Sequence, residues 1–344
     1  MGAAERLDAY QRKHPWAGFP LAVVYKFFDD QGAYLAALIT YYGFLSLFPL
    51  LLLLSSILGF VLQNDPALQH QILDSALRQV PVIGRQLDQP GGLSGSVAAV
   101  VVGVAVAIYG ALGIAQALQN AMNVCWAVPR HRRPNPFLAR LRSLMLIGTA
   151  GLALIGTTVL SALGAAAGAY GVDLGWIGQV LLLAGSVLVN AAVFVLAFRI
   201  STAHRQTVRQ AAPGALTAAV VWQVLQAFGT TYAGHVVRDS SDTYGVFAVV
   251  LGLLGWIFLG AVGVVLAVEL NVVRAKRLYP RALLTPFTDD VQLTDADERA
   301  YRGSARAQQL KGFQSVKVTF NKQISRREDE QPRPDPDDRE GSCP

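Results

Sequence analysis

Charge is scarce in this sequence, and most of it lies at one end. Asp, Glu, Lys and Arg make up 15% of the 344 residues, against about 25% in soluble globular proteins. The stretch from Leu270 onward holds 14 of the 29 Lys/Arg and 12 of the 23 Asp/Glu. The remainder contains uncharged runs long enough to cross a bilayer, which excludes an ordinary soluble globular fold. Cysteine is almost missing: Cys125 and Cys343 make neither a disulfide framework nor a zinc spacing. His14, His70, His131, His204 and His235 are scattered, with no pair at metal-ligand spacing. HExxH, P-loop, dinucleotide GxGxxG and GxSxG elements are absent. These absences leave no catalytic, cofactor-binding or metal-ligating residue to assign, so the chain reads as a non-enzyme without a cofactor. A cleavable signal peptide is also missing. Glu5, Arg6, Asp8, Arg12, Lys13, Lys26, Asp29 and Asp30 interrupt the first 32 residues, so the first span is expected to act as its own uncleaved insertion signal.

What is present is apolar sequence, 53% of the chain. It divides into a cytoplasmic or interfacial segment 1–32, a six-helix membrane domain 33–272, and a charged cytoplasmic tail 273–344, whose end is disordered by composition. In the first segment Leu21, Val24, Phe27 and Phe28 fall on one side of a short amphipathic helix, with Lys26, Asp29 and Asp30 elsewhere. The spans fall at about 33–62, with Pro49 in the middle, then 95–124, 143–169, 174–198, 211–233 and 243–268. Between the first two, Leu68, Ile72, Ala76 and Val80 recur at helical spacing and predict a second surface-lying helix within 63–94. Orientation follows from the basic residues. Before the tail, twelve Lys/Arg fall on the N-terminal side of the membrane and three (Arg78, Arg85, Arg238) on the other. Only six spans with both ends inside satisfy every loop at once. The fold class is therefore an all-α polytopic protein, expected in a bacterial inner membrane with both termini cytoplasmic. Its net charge of +6 is accounted for by basic loops facing anionic lipid, with no nucleic-acid partner required. Arg130, Arg132, Arg133, Arg140 and Arg142 form the densest such loop and are the candidate headgroup contacts.

Polar residues inside spans carry the remaining information, because unpaired polarity is costly in lipid. Gln116, Gln119, Asn120 and Asn123 share one helical face of the second span, and Gln223, Gln226 and Thr230 form a second stripe in the fifth. One reading makes them the lining of a hydrophilic path. The plainer reading makes them amide glue between helices, at about 0.6–2 kcal/mol per bond. Glu269 is the only acidic residue attached to the end of a span. It reads either as a proton- or cation-coupling carboxylate or as an interfacial Glu paired with Arg274 or a loop arginine. Gly164 and Gly168, and Gly252, Gly255, Gly260 and Gly263, are small residues that let helices approach.

Several stretches resemble the YihY/BrkB family of inner-membrane proteins. The run from Ala36 to Leu50 is similar to that family's first-span signature, with Thr40, Tyr41, Tyr42, Ser46 and Pro49. So are Ala121 to Trp126, Ala212-Pro213-Gly214-Ala215 with Trp222, and Tyr244-Gly245-Val246-Phe247-Ala248 followed by Glu269-Leu270-Asn271. Together these cover roughly residues 20–275 in the family's order, and chain length and charged tail resemble its YhjD branch. Ala267 departs from the family, which often has a Gly shortly before the Glu. The resemblance implies six membrane helices, in agreement with the charge count. The family also carries an old label of ribonuclease BN, but no histidine or acidic cluster here would activate water. Its envelope-related names imply transport of a lipid or another amphiphile. The reading of the whole chain is a transporter or flippase-like protein whose partners are membrane lipids and an amphiphilic substrate. The alternative is a non-catalytic envelope scaffold, and a membrane-attached ribonuclease comes third. A homo-oligomer stays open.

Overall fold

The structure is a computed structural model and describes residues 3–61, 97–169, 175–239, 242–283, 285 and 291–320. The segment 63–94, where a surface helix is expected, and the end of the tail lie outside the described residues. The described residues are all-helical, with no strand. Two short helices come first, α1 (Ala3–Lys13) and α2 (Pro15–Asp29). Six long ones follow: α3 (Gly32–Val61), α4 (Val97–Cys125), α5 (Pro136–Ala169), α6 (Gly175–Ser201), α7 (Val208–Asp239) and α8 (Asp242–Lys276). A last helix, α9 (Asp295–Ala307), lies in the tail.

Local chemistry explains where these helices begin and end. Pro15 opens α2 at a position whose N–H has no intrahelical partner. Thr294 caps α9 through a capping box with Asp297. The ends of α4 and α8 share one closure. Ala127 (φ 50°) and Arg277 (φ 51°) are left-handed, and the next N–H reaches back five residues, Val128 to Asn123 O at 2.9 Å and Leu278 to Val273 O at 3.0 Å. A left-handed Gln31 (φ 56°) makes the corner between α2 and α3.

Helix α8 is the centre of the packing. It lies against α2, α3, α4 and α7, while α3 also packs on α4, and α6 on α5 and α7. The core is built from Ala261, Val265, Ala267, Val268, Val272 and Val273 of α8. Against them lie Ala22, Val23 and Phe27 of α2, Met122 of α4, Phe198 of α6, and Ala215 and Ala218 of α7. The exterior of the long helices is apolar as well: Leu152, Leu181, Leu188, Phe228, Phe247 and Leu259 are exposed. Such a surface would associate in water and suits hydrocarbon. Three described segments are long and apolar enough to cross a membrane: Val180–Ser201, Val208–Gly229 and Val250–Lys276.

The face that α2 buries differs from the amphipathic reading. Ala22, Val23, Lys26 and Phe27 are buried, whereas Val24 and Phe28 are exposed. An outward apolar side chain is no penalty beside lipid, so apolarity alone did not locate the packed face. The tail also differs from a plain solvated extension, because it folds back onto the N-terminus. Asp8 accepts from the Leu283 N–H at 2.9 Å, Gln11 donates to the Arg281 carbonyl at 2.6 Å, and Tyr25 donates to the Leu283 carbonyl. Buried Arg281 pairs with Asp29 at 2.9 Å and with Asp297 of α9.

Two close approaches fix the long helices. At Gly110 an added Cβ would lie 2.4 Å from that of Ser46, so α4 meets α3 almost backbone to backbone there. At Gly214 it would lie 2.1 Å from the Ala267 carbonyl oxygen and 2.5 Å from Asn271 Nδ2. Asn271 clamps this second contact, accepting from the Gly214 N–H at 2.7 Å and donating to the Ala211 carbonyl at 3.1 Å. The crowding atoms are backbone and an amide hydrogen-bonded at both its oxygen and its nitrogen, so moving them breaks the clamp. Gly214→Ala is expected to lower stability by about 1–3 kcal/mol, read as a shift in reversible unfolding of the detergent-solubilised protein, while Gly255→Ala, where nothing lies within 4 Å, leaves it nearly unchanged.

Candidate functional site

The C-terminal part of α8 carries Asn271 and, half a turn earlier, Glu269, whose side chain is 0% exposed. Its cation comes from α2. Lys26, only 2% exposed, places Nζ 3.8 Å from Glu269 Oε2. The same ammonium pairs with Asp30, one helical turn further along, and donates to the Cys125 carbonyl at the end of α4 at 3.4 Å. Asp30 is the C-cap of α2, and its N–H bonds back to the Lys26 carbonyl. One lysine thus joins the end of α2, the end of α4 and the inward part of α8. Burial by itself would push the Lys26 ammonium towards neutrality, but the Glu269 and Asp30 carboxylates outweigh it and raise its pKa. Asp30 moves upward too, because burial outweighs the pull of Lys26.

Next to this joint Lys276 donates to the Trp126 carbonyl at 2.6 Å and lies over the indole ring, with His204 stacked on that ring at 4.5 Å between centroids. Asp30, Cys125 and Glu269 each present a ligand-type atom, all within 4.8 Å of one another. The ammonium of Lys26 lies beside both carboxylates as their cation, so the cluster is an ion-pair joint.

The sequence-derived candidates fall into distinct places. Gln119 is buried and donates to the Ala139 carbonyl at 3.1 Å and to Ser143 Oγ at 2.9 Å. Asn123 donates to the Gln119 carbonyl at 2.7 Å and accepts from the Ala203 N–H at 2.9 Å. Asn120 accepts from Arg133 at 3.2 Å. These three amides tie α4 to α5 and to the turns before α5 and α7, whereas Gln116 is exposed. Gln223 and Gln226 of α7 are half-buried. The two stripes do not face each other directly, since α4 and α7 are not among the packed helix pairs and α6 and α8 touch both. In the basic loop, Arg133 donates to the Val128 carbonyl at 3.4 Å and Arg142 to the Thr202 carbonyl at 3.3 Å. Arg130, Arg132 and Arg140 are exposed. Of the motif residues, Thr40 bonds the Ala36 carbonyl at 2.8 Å and Ser46 the Gly43 carbonyl at 3.0 Å. Tyr41 points outward, edge-on to Tyr42. Pro49, Thr230, Tyr244 and Gly245 are helical residues of α3, α7 and α8, but their side-chain surroundings lie outside what the structure describes.

Glu269 therefore pairs with Lys26 rather than with Arg274, which is exposed. Sequence reasoning passed over Lys26 and Asp30. The available signal was that Lys26 is the only lysine between Lys13 and Lys276 and has an acidic residue four positions on. Removing one partner of a buried pair leaves an uncompensated charge, costing about 3–5 kcal/mol. Lys26→Met is expected to destabilise by about that amount, and Lys26→Met/Asp30→Asn to recover part of it. Unfolding in nanodiscs checks this; equal stability of the single variant and the parent would contradict it.

Comparison with known proteins places the chain. The family model described as "Virulence factor BrkB" matches residues 23–289, which include Lys26, Asp30, Cys125 and Glu269. A UPF0761 membrane protein of Psychrobacter sp. (strain PRwf-1) is 25% identical over 302 residues, covering 81% of this chain and 53% of the relative. A UPF0761 membrane protein of Stenotrophomonas maltophilia (strain K279a) is 25% identical over 279 residues, covering 76% of this chain and 62% of the relative. The chain thus spans little more than half the length of these curated relatives. No solved structure matches it. A family match over most of the chain, together with helices apolar and long enough to span a bilayer, makes this protein a membrane protein of the BrkB family.

Proposed function

We propose that this BrkB-family protein is a six-span protein of the bacterial inner membrane with both termini cytoplasmic, and that it moves a lipid or an amphiphilic solute across that membrane as a transporter of flippase type. One observation carries this reading: Lys26, Asp30 and Glu269 form an ion-pair joint that is dry, costly and placed where three helices meet. A joint that only had to hold helices together would be served equally well by apolar packing. Ionisable groups buried in a membrane protein mark working parts by default. The six long helices and the inside-positive count support the topology. The exposed Arg130, Arg132 and Arg140 suit anionic headgroups at its cytoplasmic face. The amides tied to the helix ends are structural in this account. Gln116, Gln223 and Gln226 remain as path-lining candidates.

A scaffold is the second reading, and the ordered collar favours it. The tail, α1 and α2 build a cytoplasmic platform around Arg281, on which Leu310 and Phe313 are exposed beside Lys311. A ribonuclease is not proposed, because the one candidate metal-binding group among the described residues already has a lysine as its cation.

Cysteine accessibility separates the two readings. In a Cys125→Ala/Cys343→Ala background, single cysteines at Gln116, Gln223 and Gln226 are expected to react with a membrane-impermeant thiol reagent. Those at Gln119 and Asn123 should be protected. Protection at all five positions would remove the water-lined path and move the scaffold ahead of transport.

A further inference from the structure

Two carboxylates meet in the joint, and one ammonium serves both. Both oxygens of Glu269 lack a hydrogen-bond donor among the described residues, although the side chain is fully buried. Lys26 Nζ, at 3.8 Å, is beyond hydrogen-bond reach of Glu269 and is committed to Asp30. Asp30 and Glu269 nevertheless approach within 4.8 Å, with the Cys125 thiol equally close. Ionised carboxylates only accept hydrogen bonds, so two that face each other repel, and Glu269 gains no donor from Asp30. A single proton between them converts one acceptor into a donor and removes one buried charge. We propose that the Asp30–Glu269 pair is a proton-binding site that holds one shared proton, with Lys26 as its fixed counter-charge.

The charges around the pair agree with this. From α2 come Lys26 and Asp29, the latter paired with Arg281 of the tail. From α4 comes the Cys125 thiol, buried and uncharged as a thiol. From α8 comes Lys276, whose ammonium donates to the Trp126 carbonyl; it forms an ion pair with neither carboxylate among the described residues but keeps its charge and acts on both through space. With one proton bound, Lys26, the ammonium that pairs directly with the two carboxylates, balances the one that stays ionised. When the proton leaves, two buried anions share the one ammonium that pairs with them directly, and the contact between α2 and α8 is weakened. Asp30, outside the long helices, has its pKa displaced upward by burial, the direction that a shared proton requires. Proton binding is a property of the joint and does not depend on transport, so the two are read by different measurements.

Infrared spectroscopy of the purified full-length protein in lipid nanodiscs tests the site directly. Separate preparations carry side-chain carboxyl ¹³C-labelled aspartate or glutamate. One of them is expected to show, at neutral pH, an isotope-shifted carbonyl band of a protonated carboxylic acid. That band should disappear on alkaline titration and return on re-acidification. Glu269→Gln abolishes it, and so does Asp30→Asn, which leaves one carboxylate for one ammonium. Thermal stability follows the same sign. A proton held more tightly by the folded state stabilises at low pH and is lost as pH rises, so wild type falls below Glu269→Gln in alkaline buffer but not in mildly acidic buffer. If neither labelled wild-type preparation shows the band at neutral pH, or if the band survives in Glu269→Gln, the proposal is overturned. The first outcome needs no variant to fold.

Discussion

The end of the bundle where α2, α4 and α8 meet depends on one lysine held out of water. Lys26 sits on a short helix that is not itself a membrane span, yet its ammonium reaches the inner part of α8 and the last carbonyl of α4. Stripping an ammonium of water costs several kcal/mol, and only carboxylates in close contact offset it. Asp30 and Glu269 provide them. The requirement fixes more than one pair. It dictates which face of α2 is buried, holds α2 across the mouth of the bundle, and places Cys125 against Glu269. The Asn271 clamp, half a turn beyond Glu269, then fixes α7 to the same stretch of α8 through Gly214. Two polar side chains of α8 therefore organise neighbours on opposite sides.

Around this joint the tail and the N-terminus make a collar. Arg281, almost fully buried, connects Asp29 of α2 to Asp297 of α9, and Asp8 and Gln11 of α1 bind the strand of chain between them. Burial opposes the charge on Arg281, and the two carboxylates more than restore it. Because Asp29 is next to Asp30, the collar and the joint share a corner. In the proposed reading, a change in the charge of the joint reaches the tail through this corner. This is the physical link between the transport and scaffold readings, which differ in what crosses the membrane but use the same corner.

Much of the architecture was legible in the sequence because lipid imposes simple rules. Long uncharged runs became long helices, and their ends agree to within a few residues near Pro129 and Arg199, whereas α5 starts at Pro136, seven residues before the expected 143, because its first turns carry Arg140 and Arg142. The importance of Glu269 and Asn271 was also visible, since polar residues at the end of an apolar span need partners. What could not be read was the identity of those partners. Lys26 lies 243 positions from Glu269 and looks like an ordinary solvated residue on a short helix; only the docking of α2 on α8 reveals it. The outward Val24 and Phe28 show the same difficulty in reverse. Apolar periodicity marks the buried face in water, but it loses that meaning when the surroundings are themselves apolar. The amides of α4 were legible as a stripe, yet their partners, the first turn of α5 at Ala139 and the loop before α7 at Ala203, are set by how those elements dock, which no spacing rule predicts.

The claim on which the account rests is that Lys26 and Glu269 act as one unit. A double-mutant cycle measures that coupling directly, using Lys26→Met, Glu269→Gln and the double variant in reversible unfolding within lipid nanodiscs. The account predicts that the two substitutions are non-additive by about 0.5–3 kcal/mol, the range for residues in contact. Additivity to within about 0.3–0.5 kcal/mol, the behaviour of distant sites, would show that the lysine and the glutamate do not depend on each other, and the joint as described would not exist.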